Sequence, residues 1–337
     1  MIIGLDKRST LAAISRRVLH NDPIIINSKE VESFMKGNLI EINRRQFTVG
    51  AVAATAALAV SGPLLAETDG KPRYEFCAFT KFLQTLSFDE LADAIAEAGF
   101  SGVEVTARAK DSSIRPERAT DELPKLHEAL AKRGLDITIL TTDVLSADQP
   151  HAESMLRAAA ALGVKRYRLG FLRYDLKQPI LPQLKAYRPV IRDIAAMNRE
   201  VGIAALYQNH CGADMLGATI WDLHSLIKDY PVSEIGCVFD IRHAVVEAGE
   251  AWPVYFDLMK PHLGAVSVKD FRWSDRKSQH APLGKGEVDP KFFPMLRTTD
   301  FAGPVSVHVE YLPKGTVQEN LTALKEDFAT LRKWIDA

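Results

Sequence analysis

From Arg73 to its end the chain alternates short apolar runs with amphipathic, helix-length stretches, and it does so eight times. The runs are Tyr74–Phe79, Gly102–Thr106, Asp136–Thr141, Arg166–Gly170, Ile203–Gln208, Ile235–Asp240, Gly264–Lys269 and Pro304–Glu310. Each precedes a helical pattern: the first is capped by Ser87 and stopped by Gly99, the second is capped by Thr120 and ended by Gly134, and the last covers 317–335. Strands of about six residues alternating with helices imply βαβ units and a parallel sheet. Eight such units in about 270 residues match a single (β/α)8 barrel, which typically takes about 250. A doubly wound sheet would want a glycine-rich phosphate turn, and neither GxGxxG nor GxxxxGK[ST] occurs. The fold expected is α/β: one TIM barrel of eight parallel strands ringed by helices, occupying residues 67–337.

What precedes the barrel is of a different kind. Residues 46–66 carry no charge, and Arg44-Arg45 stand just before them in NRRQF. The stretch TVGAVAATAALAV is only mildly apolar, and Leu64-Leu65-Ala66 offers a small residue at a cleavage point. These features resemble a twin-arginine export signal over 1–66, with Met35 as an alternative start that gives a leader of more usual length. That resemblance implies passage through the twin-arginine translocation machinery to the periplasm. Retention as a membrane anchor is the other reading.

Composition narrows the class of function. The whole chain has a net charge of −1, and without residues 1–66 it keeps 34 basic against 38 acidic residues. Such a balance excludes a nucleic-acid binder, which needs clustered Lys and Arg to displace counterions. Three cysteines (Cys77, Cys211 and Cys237) cannot build a disulfide framework or a four-cysteine zinc site.

In a barrel of this kind the site lies at the carboxyl ends of the strands. That rule selects Glu104 and Arg108, Thr141 and Asp143, Arg168, then Gln208, Asn209 and His210. Asp240, Arg242 and His243 follow, then Ser267, Lys269 and Asp270, and finally His308 and Glu310. Residues two apart on a strand share a face, so Gln208 goes with His210, Ser267 with Lys269, and His308 with Glu310. Lys269 is either an ion-pair partner of Asp240 or Glu310, or a group that burial makes less basic and able to act as an acid. Arg168 is either a clamp for a substrate oxygen or a structural partner of an acid. The polar stretch from Arg272 to Asp289 reads as a loop that closes over the site, carrying His280 and Lys285 toward substrate. Phe79, Phe171, Tyr207 and Trp273 are candidates for the floor of a sugar site, whereas Trp221 reads as a packing residue.

The pieces GFSGVEVT, ALYQNH, CVFDIRHA, VSVKDF, PLGKGEVD and PVSVHVEY, in that order over 73–335, resemble the xylose-isomerase-like TIM barrels. This superfamily is also called sugar phosphate isomerase/epimerase or AP-endonuclease-2-like. The resemblance implies one divalent metal (Mn, Zn, Fe, Co or Mg) held by Glu, Asp, His and Glu from strands five to eight. Carried over, those positions are Gln208, Asp240, Ser267 and Glu310, so two of the four usual ligands are replaced. His210 or His243 is positioned to repair such a set, giving Gln208, Asp240, Glu310 and His210 as candidate ligands. The resemblance further implies proton abstraction next to a carbonyl, with Glu310, His210 and Lys269 as the catalytic candidates. Glu104, Arg168, His243, His308, His280 and Lys285 are then the candidates for holding the substrate. Loss of one carboxylate at Gln208 weighs against two-base epimerisation and toward one-base chemistry, such as cleavage of a keto-glycoside. Export points to a non-phosphorylated sugar, and the loss of two ligands leaves open a barrel that only binds sugar. A homo-oligomer is the association common in this superfamily.

Overall fold

The computed structural model describes residues 74–337. The expected export segment and the alternative start at Met35 lie outside the described residues. Eight parallel strands close into a barrel: β1 (Glu75–Phe79), β2 (Gly102–Ala107), β3 (Asp136–Thr142), β4 (Arg166–Arg168), β5 (Ala204–Gln208), β6 (Ile235–Asp240), β7 (Leu263–Val268) and β10 (Pro304–Val307). Each pairs with the next, and β10 closes the ring onto β1 with Cys77 opposite Ser306. The helices are α1 (Phe88–Glu97), α2 (Ala119–Ala131), α3 (Ala152–Ala161), α4 (Ile180–Val201), α5 (Trp221–Ile227), α6 (Ile241–Ala248), α7 (Trp252–Met259), α8 (Phe292–Arg297) and α9 (Val317–Asp336). No helix of the described residues is long and apolar enough to cross a membrane.

Local chemistry explains some of the helix starts. Ser87 and Glu90 form a capping box at α1, each side chain satisfying the other's backbone N–H, and Thr316 with Glu319 repeats it at α9. At α2 the expected cap is displaced. The helix starts at Ala119, so Thr120 lies inside it, and Arg118 is an N-cap without a side-chain bond. A 3-10 turn, Pro116–Arg118, leads directly into α2, and its proline fixes a helical φ before the first α-helical residue.

The expected loop after β7 also departs from the sequence reading. Asp270–Ser274 and Lys277–Ala281 pair antiparallel as β8 and β9, apart from the barrel. Asp275 and Arg276 between them both have positive φ, 48° and 63°, which is the geometry of a type I′ two-residue turn.

Inside the barrel, two layers follow from strand periodicity. Cys77, Ile139, Leu206, Val238 and Ala265 form a fully buried apolar plug contributed by five strands. Two residues further along the same strands, hence on the same face, stand Phe79, Thr141, Gln208, Asp240 and Ser267. Thus each strand carries an apolar residue low in the barrel and, in four of these five, a polar one at its carboxyl end. The larger core, between strands and helices, packs around residues such as Tyr167, Phe239, Phe256 and Phe292.

Candidate active site

The polar layer is one connected network at the carboxyl ends of the strands. On one side Glu104, at the middle of β2 and only 1% exposed, uses both carboxylate oxygens. Oε1 accepts from Thr141 Oγ1 at 2.6 Å and pairs with Arg168 Nη1 at 3.0 Å. Oε2 accepts from Ser306 Oγ at 2.6 Å and meets His308 Nε2 at 3.0 Å. Burial alone would raise its pKa, but Arg168 and His308 outweigh it and hold the carboxyl well below the ordinary glutamate value. Phe79 closes this side: its ring stacks on His308 at 4.4 Å and lies 5.2 Å beneath the Arg168 guanidinium.

On the other side Lys269, 4% exposed, stands between two carboxylates. Its Nζ is 3.3 Å from Asp240 Oδ2 and donates to Glu310 Oε2 at 3.2 Å. Burial works against this charge, but the two carboxylates outweigh it, so the lysine pKa stands above its ordinary value. The expectation that burial makes Lys269 less basic is therefore reversed by its neighbours. Asp240 is fully buried; its Oδ1 caps α6 by accepting from His243 N at 3.1 Å, and its Oδ2 also accepts from Gln208 Nε2 at 2.7 Å. Asn209 fixes the Asp240 backbone, accepting from its N–H at 2.7 Å and donating to its carbonyl at 3.1 Å.

Glu310 lies where the two sides meet and, with a side chain 29% exposed, is the carboxylate of this network open to solvent. His280 Nε2, from β9, is 3.5 Å from its Oε2, and His308 Nδ1 is 3.8 Å from its Oε1. Burial would raise its pKa, yet Lys269 and His308 hold it well below the glutamate value. His308 is correspondingly favoured in its charged form: burial opposes the proton, but Glu104 more than compensates.

His210 and His243 form a third group. Their rings lie 3.9 Å apart, and Phe171 packs 4.7 Å from His210. Burial, then the Lys269 charge, lowers the His210 pKa to about 4 and that of His243 well below the usual range, so both imidazoles are neutral at pH 7. Cys211 Sγ is 3.0 Å from both His243 Nδ1 and Arg242 Nη1, and Arg242 also donates to Ser278 on β9. The carboxyl-end rule selects Arg242 without giving it a role, whereas Cys211 was not singled out as a site residue. The signal available for Arg242 was its place two residues after Asp240.

Of the residues expected at the site, Glu104, Arg168, Gln208, His210, Asp240, His243, Lys269, His280, His308 and Glu310 are brought into this network. Lys285 is not: it is exposed, and it is its backbone carbonyl that bonds Arg272. Its loop is held instead by Asp270, whose carboxylate accepts from the backbone N–H groups of Phe271, Gly284, Gly286 and Val288 at 2.8–3.0 Å. Trp221 does not pack in the core but is 55% exposed, lining a groove of about 610 Å3 with Leu181, Met215 and Glu247.

Neither possible metal position fits an ion as arranged. Between Asp240 and Glu310 the Lys269 ammonium already holds the place of a cation, Gln208 turns its amide N–H rather than its oxygen to Asp240, and Ser267 Oγ lies 3.3 Å from His308 Nε2. Of the expected set, Gln208, Asp240 and Glu310 are thus satisfied internally, while His210 is bonded through Nδ1 to the Cys211 carbonyl at 2.8 Å. His210, Cys211 and His243 bring ligand atoms within 4.8 Å of one another, the combination of the described residues that could gather around a metal. There the Arg242 guanidinium sits on two of the three atoms and would have to leave first.

No curated protein matched the chain by sequence. Among solved structures, the 3-keto-D-glucoside 4-epimerase of E. coli is similar at 15% identity and TM-score 0.60, covering 77% of this chain and 99% of its own. The IOLI protein with a bound zinc atom is similar at 16% identity and TM-score 0.61, over 78% of this chain and 100% of that one. A xylose isomerase-like TIM barrel protein from Mycobacterium smegmatis in complex with magnesium shares 16% identity at TM-score 0.55, over 78% and 97%. These likenesses carry the fold, and two of the three solved relatives hold a divalent metal. The family model for the xylose isomerase-like TIM barrel matches residues 92–334, and the chain belongs to that family.

Proposed function

We propose that the chain is an enzyme that removes a proton from the carbon next to the carbonyl of a non-phosphorylated sugar or keto-sugar, with isomerisation or epimerisation as the outcome. The observation that carries this is Glu310: a partly exposed carboxylate, ionised by Lys269 and His308, at the mouth of a barrel whose carboxylates Glu104, Asp240 and Asp270 are sealed. Glu310 takes the proton, the C–H electron pair becomes a C=C bond, and the carbonyl oxygen gains the charge. Cationic groups beside it stabilise that charge. We assign the return or relay of a proton to His210, neutral and with its ring 3.9 Å from that of His243 beside Asp240. The likeness to a keto-glucoside epimerase supports the substrate class.

A second reading is elimination from a keto-glycoside, and Gln208 favours it. An amide locked to Asp240 is no second base on β5, so one carboxylate must serve the reaction. The same carbanion then expels a neighbouring C–O substituent, which leaves with a proton. Incubation of the protein with free sugars and 3-keto-glycosides in D2O, followed by NMR, separates these outcomes. Deuterium at the carbon next to the carbonyl, with inversion or ketose formation, supports the first reading, and release of the aglycone supports the second. Binding by calorimetry without exchange or cleavage would overturn both and leave a sugar-binding barrel. The export reading is tested by Arg44→Lys with Arg45→Lys: processed protein should disappear from the periplasmic fraction.

A further inference from the structure

We propose that Lys269 is the cation of this reaction, its ammonium standing between Asp240 and Glu310, the two carboxylates among the four positions at which the family resemblance implies a divalent ion. This rests on the proton-abstraction reading above. Lys269 Nζ lies 3.3 Å from Asp240 Oδ2 and 3.2 Å from Glu310 Oε2, inside a layer in which Glu104, Thr141, Gln208, Ser267 and Ser306 are already bonded to neighbours. A dication at that point would need oxygens that are now occupied. Asp240 Oδ2 is shared by Lys269 and the Gln208 amide, Asp240 Oδ1 caps α6, and Ser267 is turned to His308. The charges agree with the geometry. Where the family set would present three acidic or basic ligands beside Asp240, this chain has a neutral amide at Gln208 and a hydroxyl at Ser267, leaving two carboxylates for one ammonium.

The arrangement also explains how one lysine can hold the base and stabilise the product of deprotonation. An ammonium carries three N–H groups, and the two carboxylates engage two of them. When Glu310 accepts the substrate proton it becomes a neutral acid, and its ion pair with Lys269 weakens. At the same moment a full negative charge appears on the substrate oxygen. The positive charge is thus transferred from one anion to another over a short distance, with little reorganisation of the surroundings. Asp240, held through its backbone by Asn209 and at its carboxylate by Gln208, keeps the ammonium in place throughout.

The test has one arm that needs no substrate. The full chain is dialysed against Mn2+ at millimolar concentration, then against buffer, and bound Mn is counted by electron paramagnetic resonance. The wild type should retain less than about 0.1 Mn per chain, whereas Lys269→Ser combined with Gln208→Glu and Ser267→His should retain about one. One Mn per wild-type chain, lost in Asp240→Ala, would overturn the proposal whatever the substrate proves to be. In the second arm, deuterium exchange should be unchanged by EDTA, should fall at least about 100-fold in Lys269→Met and should be partly restored in Lys269→Arg, circular dichroism reporting that each variant is folded. Exchange abolished by EDTA and restored by Mn2+ would overturn the inference and leave the function standing. No exchange in any variant, with the manganese result as expected, would instead overturn the proton-abstraction reading alone.

Discussion

Glu104 and Glu310 stand on either side of one histidine, His308, and differ in nearly everything else. Glu104 is 1% exposed and meets four partners, one of them a guanidinium. Glu310 has a side chain 29% exposed, with Lys269 as its near partner and two imidazoles at 3.5 and 3.8 Å. Both carboxyls are held ionised, but by different means and with different consequences. A carboxylate whose acceptor sites are all used by buried donors is a structural tie. One with an open face and a shifted pKa is available for chemistry. The difference teaches that charge state alone does not set the two carboxylates apart; access does.

The contrast breaks most sharply at Glu310. Glu310→Gln should lower deuterium exchange or turnover by about 10^3-fold, or about 4 kcal/mol, while leaving the melting temperature nearly unchanged. A large loss of stability with activity retained would place it with Glu104. Next, Glu104→Gln should destabilise the chain by about 3 kcal/mol in urea titration, because Arg168 would be left buried without its anion. Adding Arg168→Met should recover part of that loss, since the stranded charge is removed. If the single change leaves the urea midpoint in place, the sealed network is not a tie.

Asp327 sharpens the comparison from the opposite direction. It too is buried, yet it accepts from Leu283 N at 2.9 Å and interacts with Tyr311 without a cation, and burial raises its pKa to about 7. In the folded chain it therefore keeps a proton that the unfolded chain releases near pH 4, so stability falls as pH rises from about 4 to about 7. Glu104 has the opposite sign, contributing stability above the ordinary glutamate value and losing it as pH falls below. Asp327→Asn should flatten the fall, by about 2 kcal/mol between pH 4.5 and 8. Identical wild-type and variant curves would mean that the carboxyl is not buried as described. The smallest effect is expected at Ser306→Ala, about 1 kcal/mol for one lost hydroxyl donor to Glu104. A loss equal to that of Glu104→Gln would show that the hydroxyl, not the guanidinium, holds the carboxylate.

The barrel was legible in the sequence because each strand is an apolar run, all but the first ended by a polar residue, and the carboxyl-end rule turned those endings into a site. Parity paired Gln208 with His210, Ser267 with Lys269 and His308 with Glu310, and the same spacing in the structure sets Gln208, Asp240 and Ser267 above Leu206, Val238 and Ala265. Two features were not legible. The β8–β9 hairpin has a polar strand, Lys277–Ala281, whose backbone pairing leaves no apolar signature, and its turn uses Asp275-Arg276 where glycine is the usual signal. The state of Lys269 depends on distances between three strands. Sequence alone left it either ion-paired or made less basic by burial, and only the closure of the barrel brings Asp240 and Glu310 near enough to decide.

The anchoring of the loop after the hairpin has a consequence for how such a site can change over evolutionary time. Asp270 grips that loop through backbone N–H groups, which every residue but proline supplies. At Gly286 an added Cβ would lie 2.1 Å from the Phe271 carbonyl oxygen, so that position is restricted to glycine. Lys285 and Glu287, by contrast, are exposed and contribute only main-chain groups to the anchor. Their side chains are free to be exchanged without loosening the loop, so this rim of the barrel can be recut for a different ligand while the network beneath it stays as it is.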